Sequence, residues 1–381
     1  MKMYYVKFII ILCLIFTVNI QAQDTLVDVG GYKIHFNILK GEGTPILFEA
    51  GAGNDATVWN SILEQIHQVT GTTLISYDRS GFGQSELNPN LKNATDYGIL
   101  NGLKELEVGL LKLGYDNDIL LVSHSYGGLY NLLYADKYPE KVKSVVLIDV
   151  TLNNFWNDEL LAMRDANVDI NQIEKNTGDY YLNYNYNRTM RYGRQVNFPN
   201  TIPIINVFPE NSFPGFPAVL SKRWLQLHKD FGAQNKNVEN SIAKGSTHAI
   251  FQDNPALIVH IISKAYSETL PTNQQNTMLK KALSNAIEMT IETKINNRSE
   301  HDLNTLGYTF LQNEEIAKAL AIFKTNTLLF PGSSNVYDSY GEALVKANRN
   351  EEAIEMYEKA LELNPKNENT KVALQKIKKE K

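Results

Sequence analysis

Cysteine is almost absent from this chain: Cys13 is the only one in 381 residues. A single thiol excludes an intrachain disulfide framework and a thiolate metal cluster. Cationic excess is also missing. The formal net charge is −5, with no arginine-rich run and no basic stripe beyond a short lysine cluster at the extreme C-terminus. Nucleic acid is therefore not the expected partner. Long apolar runs are scarce as well. The stretch Phe8–Ile20 covers 13 residues, against the roughly 20 that a membrane-spanning helix needs.

That stretch is flanked by Lys2 and Lys7 and followed by Gln21-Ala22-Gln23, the pattern of a secretory signal peptide cut after Ala22. The alternative is an uncleaved membrane anchor. Leu12 before Cys13 fits a lipoprotein cleavage site poorly, so no lipid anchor is expected. Cleavage would remove Lys2, Lys7 and no acidic residue, taking the formal charge from −5 to −7. It would also remove Cys13, leaving an exported chain, periplasmic or secreted, with no cysteine nucleophile. No stable membrane span would remain.

What remains exceeds one ordinary core, so two domains are expected. Residues 26–150 alternate strand-like and helical runs. Strands are predicted at Tyr32–Leu39, Pro45–Glu49, Thr72–Tyr77, Ile119–Val122 and Val145–Val150, and helices near Val58–Val69, Tyr97–Leu113 and Leu129–Lys137. This alternation implies an α/β fold, a mostly parallel sheet with helices on both faces. Residues 151–200 break the rhythm with an Asn-, Tyr- and Arg-rich segment centred on Tyr180–Tyr186, and strand character returns at Ile202–Phe208.

From about Thr272 the pattern is all-helical and repeats. Gly307 and Gly341 are 34 residues apart, as are Ala319 and Ala353, Phe323 and Tyr357, and Pro331 and Pro365. Period and residue types resemble the tetratricopeptide repeat. Two repeats, about 300–333 and 334–367, would be followed by a capping helix, Asn369–Lys379, with Met278–Thr293 packed beside the first repeat. The chain thus divides into a signal peptide (1–22), an α/β domain (23–271) and an all-α repeat domain (272–381).

The chemistry concentrates at Ile119–Gly128. A short apolar strand breaks into Ser123-His124-Ser125-Tyr126-Gly127-Gly128, and a helix follows. A serine on a sharp strand-to-helix turn between small residues resembles the nucleophile elbow of the α/β-hydrolases, with Ser123 where the usual G-x-S-x-G pattern has glycine. Three further features stand in that family's order. Glu49-Ala50-Gly51-Ala52-Gly53 takes the His-Gly-x-Gly position, Asp78-Arg79-Ser80-Gly81-Phe82-Gly83-Gln84-Ser85 resembles the D-R-x-G-x-G-x-S turn, and Gly245-Ser246-Thr247-His248 resembles the histidine loop. The resemblance to the α/β-hydrolase fold family covers residues 26–268, and residues 151–200 fall where that family carries a cap over its active site. A plain surface excursion is the alternative for that segment.

The family pattern implies Ser125 as nucleophile, His248 as its base, and the backbone N–H groups of Ala52 and Tyr126 as the oxyanion hole. His124 reads as structural, because the turn should point it away from Ser125. Asp78, Arg79 and Ser85 read as a hydrogen-bonding hub rather than as catalysts. The third triad member has two candidates. Asp149 ends the strand after the elbow and is preferred; Glu210, beyond Ile202–Phe208, is the alternative. Asp253 and Asn254 read as caps of a helix starting at Pro255.

The expectation is an exported serine hydrolase working through an acyl-enzyme on the ester bond of a small-molecule acyl substrate, with no metal or organic cofactor implied. A peptidase or lactonase using the same residues is an alternative, whereas a serine at the elbow disfavours the family branches that use aspartate there. A different class of function is an interaction protein whose repeats bind a protein partner or a second copy, with the hydrolase-like domain serving only to bind.

Overall fold

The computed structural model describes residues 23–210, 217–295 and 299–379; the signal peptide expected at residues 1–22 lies outside them. The strands are β1 (Gln23–Asp28), β2 (Lys33–Leu39), β3 (Ile46–Glu49), β4 (Leu74–Tyr77), β5 (Ile119–His124), β6 (Val142–Ile148), β7 (Ile204–Pro209) and β8 (Val238–Ala243). They form one sheet in the order β1-β2-β4-β3-β5-β6-β7-β8. Strand β2 runs antiparallel to both its neighbours, and β4, β3, β5, β6, β7 and β8 are mutually parallel. Such a sheet is buried on both faces, which is why β3, β4 and β5 are continuous buried runs rather than alternating ones.

The helices between these strands are α1 (Asn60–Thr70), α2 (Ile99–Leu113), α3 (Gly128–Lys137), α4 (Asp158–Asn167), α5 (Gly178–Gly193) and α6 (Ala218–Gln234). After β8 come α7 (Ile250–Asp253) and α8 (Pro255–Glu268). One core cluster joins the sheet to α2 and α3 through Leu103, Leu110, Leu132 and Leu133. The other joins the opposite face to α1 and α8 through Ile62, Ile66, Ile258 and Ile262. Strand β1 and helix α6 were not anticipated from sequence, nor were α4 and α5 of the 151–200 segment. Strand β1 buries only Val27 and so carries little hydrophobic pattern. Helix α6 has only Trp224 and His228 fully buried. Residues 151–200 hold α4 and α5, which lie between the parallel neighbours β6 and β7.

The remaining helices are α9 (Thr272–Ile295), α10 (Glu300–Gln312), α11 (Ile316–Leu329), α12 (Ser334–Lys346), α13 (Asn350–Leu363) and α14 (Glu368–Lys379). Helices α10 to α13 form two pairs, α10 with α11 and α12 with α13, followed by α14 and preceded by α9. A methyl group on Gly307 would strike the Phe323 ring at 2.6 Å, and one on Gly341 the Tyr357 ring at 2.8 Å. The 34-residue period therefore reflects one repeated contact, a ring of the second helix seated on a glycine of the first. Helix α9 does more than flank the first pair. Its Ile287 packs with Leu303 and Ile322, while its Ala282 and Met278 belong to the core cluster of α1 and α8. Its Lys281 also reaches the Gln68 carbonyl of α1 at 2.8 Å. No described helix is long and apolar enough to cross a membrane.

Candidate active site

Strand β5 ends at His124, and the chain turns at once into α3. Ser125 takes φ = 52° in that turn, a left-handed conformation that costs a non-glycine residue on the order of 1 kcal/mol. Asp149, immediately after β6, is the same kind of exception at φ = 42°. Its backbone N–H donates to the Val207 carbonyl at 2.7 Å, and Thr151 N–H donates to the Ser125 carbonyl at 3.0 Å. The two strained residues are thus tied to each other through the loop after β6.

His248 lies between them. Its Nδ1 is 2.6 Å from Asp149 Oδ2, and its Nε2 is 2.9 Å from Ser125 Oγ. An ionised carboxylate only accepts, so Nδ1 carries the proton and Nε2 offers a lone pair to the serine hydroxyl. Asp149 is fully buried, whereas the His248 side chain is about one quarter exposed. Three hydrogen bonds hold the loop that carries this imidazole. His124 Nε2 donates to the His248 carbonyl at 3.0 Å, and its ring lies 4.5 Å from the His248 ring. The N–H and hydroxyl of Thr247 both donate to Asp253 Oδ2 at 2.6 Å. Burial lowers the His124 pKa to about 3, so this ring is a neutral donor.

Asp149 has further partners from α6. The Trp224 indole N–H donates to Oδ1 at 2.7 Å, and His228 Nε2 is 3.5 Å from the same oxygen. Trp224 and His228 are four residues apart and so share one helix face. His228 Nδ1 meets Asn206 Oδ1 at 2.9 Å, and burial lowers its pKa to about 4. Neither residue was singled out from sequence, because only the fold brings α6 against the end of β6.

Glu210 is the acid candidate that the structure does not bring to His248. It follows β7 and is exposed; its backbone N–H pairs with the Ala243 carbonyl at 3.2 Å. The carboxylate that meets His248 is that of Asp149. Asp253 also differs from expectation, since Asn254 alone caps α8, accepting from Leu257 N–H at 3.2 Å, while Asp253 braces the histidine loop.

The loop after β3 passes beside the serine. A methyl group on Gly51 would lie 3.3 Å from Ser125 Cβ and 2.9 Å from His124 Nδ1, so only glycine permits this approach. Ala52, the next residue, is exposed. Tyr126 is buried, its ring 5.9 Å from Tyr186 of α5. Arg164 of α4 in turn lies 4.0 Å over the Tyr186 ring. Residues of the 151–200 segment therefore rest on the residue after the serine. Asp78 is the hub expected of it: its carboxylate accepts from Ala56 N, Gln84 N and His35 Nδ1 at 2.8, 2.8 and 2.9 Å. Among the described residues no group of three or more His, Cys, Asp or Glu side chains could hold a metal ion.

Residues 44–196 match the family model for the alpha/beta hydrolase fold, and residues 334–367 match that for the tetratricopeptide repeat. The chain thus carries an α/β-hydrolase fold followed by a C-terminal helical region with a tetratricopeptide repeat. An uncharacterized Bacillus subtilis protein, YqjL, is 27% identical over 61% of this chain and 87% of its own length. A proline iminopeptidase of Lactobacillus delbrueckii subsp. bulgaricus is 31% identical over 37% of this chain, a match spanning about half (48%) of that relative. Among solved structures, a serine hydrolase involved in carbazole degradation aligns over 65% of this chain and 99% of its own, at 16% identity and a TM-score of 0.45.

Proposed function

We propose that this protein is an exported serine hydrolase that cleaves an ester bond through an acyl-enzyme. The observation that carries the reading is the imidazole of His248 placed at hydrogen-bonding distance from both Ser125 Oγ and Asp149 Oδ2. In this mechanism Nε2 takes the hydroxyl proton as Oγ adds to the acyl carbonyl carbon, and Asp149 stabilises the resulting imidazolium. The carbonyl oxygen, now negative, is received by the N–H groups of Ala52 and Tyr126. The tetrahedral adduct collapses, the alcohol leaves with the proton from Nε2, and water repeats the sequence to release the acid. An ester demands less of this machinery than an amide, because its carbonyl is less resonance-stabilised and an alkoxide leaves more readily than an amide anion.

Helices α4 and α5 act as the cap, with Tyr186 over Tyr126 supporting that role. Export is supported by the residue pattern of positions 1–22. The repeats would serve contact with a protein partner or a second copy.

The test is labelling of purified wild type and Ser125→Ala with a fluorophosphonate, followed by a panel of aryl esters, lactones and aminoacyl arylamides. Labelling of the wild type alone, with turnover highest on esters, is expected. A folded wild type that takes no label would sink the hydrolase reading; turnover confined to arylamides would replace the esterase by a peptidase.

A further inference from the structure

In the parallel pair of β3 and β4, Phe48 is in register with Ser76. The residues leaving the two strands therefore run side by side, Glu49-Ala50-Gly51 beside Tyr77-Asp78-Arg79. Glu49 and Arg79 are both buried, at 1% and 6% exposure. Arg79 Nη1 donates to Glu49 Oε1 and to the Ala50 carbonyl, each at 2.7 Å. Its Nη2 donates to the Gly51 carbonyl and, at 3.4 Å, to that of Asn54. The Tyr77 hydroxyl donates to the other Glu49 oxygen.

A buried ion pair is a weak source of stability, since desolvating two charges offsets most of their attraction. What this one adds is direction. A trans peptide is planar, so the N–H of Ala52 points opposite to the Gly51 carbonyl. Fixing that carbonyl on Arg79 fixes the Ala52 N–H on the other side of the peptide. The guanidinium also stands 5.8 Å from the Tyr126 ring and 5.6 Å from that of Tyr130, which braces the residue bearing the second N–H.

We propose that Arg79, clamped by Glu49, is a positioning residue for the oxyanion hole, orienting the Ala52 N–H toward the oxygen that becomes negative when Ser125 adds to a carbonyl. The proposal rests on Ser125 being the nucleophile. Lysine cannot replace this arginine, because a point ammonium does not reproduce a planar fork that holds several carbonyls at once.

The test compares wild type with Arg79→Lys and with the uncharged, space-filling double variant Glu49→Gln/Arg79→Met. Steady-state kinetics on an aryl ester are set beside inhibition by a trifluoromethyl ketone, whose adduct with the serine carries the same oxyanion. Expected are a kcat lower by about 10- to 100-fold, a KM changed by less than about twofold, and an inhibition constant raised by the same factor as kcat falls. Retention of both kcat and the inhibition constant within about twofold in either folded variant overturns the proposal. So does loss of activity that appears only together with loss of the fold. A folded wild type that takes no fluorophosphonate is a different result, because it removes Ser125 as nucleophile.

Discussion

Trp224 and His248 share one carboxylate: the indole N–H donates to Asp149 Oδ1, and the imidazole Nδ1–H to Oδ2. Each oxygen has its own donor, so the carboxylate plane cannot rotate without losing one of them. Trp224→Phe keeps an aromatic ring against Phe155 and removes the donor. A hydrogen bond to a charged group is worth about 1.5–3 kcal/mol, so a kcat lower by roughly 10- to 100-fold at similar KM is expected. Steady-state kinetics of the folded variant check it.

Asp149→Asn should lower kcat by about 10³- to 10⁴-fold, because an amide cannot hold the Nδ1–H tautomer and stabilise the cation. Glu210→Gln, at an exposed position, should stay within about twofold of wild type. The two variants assayed in parallel on one ester test the assignment, and the opposite ranking would reverse it.

Stability should fall as pH drops from about 6.5 toward 4. Burial holds His124 and His228 below the ordinary histidine value in the folded state, at about 3 and about 4. The unfolded chain therefore binds more protons across that window, and the sign of the linkage makes folding weaker as acidity increases. Full stability from these groups is present above about pH 6.5. A melting temperature lower by on the order of 5 °C at pH 4.5 than at pH 7 is expected. His228→Gln should flatten part of that slope.

Ala282 tests the junction between the sheet and the repeats. It is fully buried where α9 meets α1 and α8. Ala282→Leu should destabilise by about 1–3 kcal/mol through overpacking. The loss should appear in the unfolding of the α/β part, followed by active-site labelling against temperature, and not only in helical circular dichroism.

The residues that are local in sequence were legible; those defined by long-range contact were not. The elbow, the histidine loop and the Gly307–Phe323 and Gly341–Tyr357 contacts each lie within a short motif or a fixed period. The choice between Asp149 and Glu210 depends on which carboxylate meets His248, 99 residues from Asp149, and both acids follow a strand, so no local pattern separates them. Arg79 looked like part of a structural turn because its partners, Glu49 to Asn54, lie on the neighbouring strand's exit. Strand β1 escaped notice because an edge strand with Leu26 half exposed shows no clean alternation.

The left-handed backbone at Ser125 and Asp149 has one more consequence. Glycine adopts φ near 50° without steric penalty, so Ser125→Gly and Asp149→Gly should relieve strain that the native side chains maintain. At Ser125, where the side chain is only partly enclosed, the glycine variant should melt higher than the Ser125→Ala variant, which keeps the Cβ and therefore the strain. The most robust version of this fold is then a chemically silent one, and selection for thermal tolerance alone would drift toward erasing the serine.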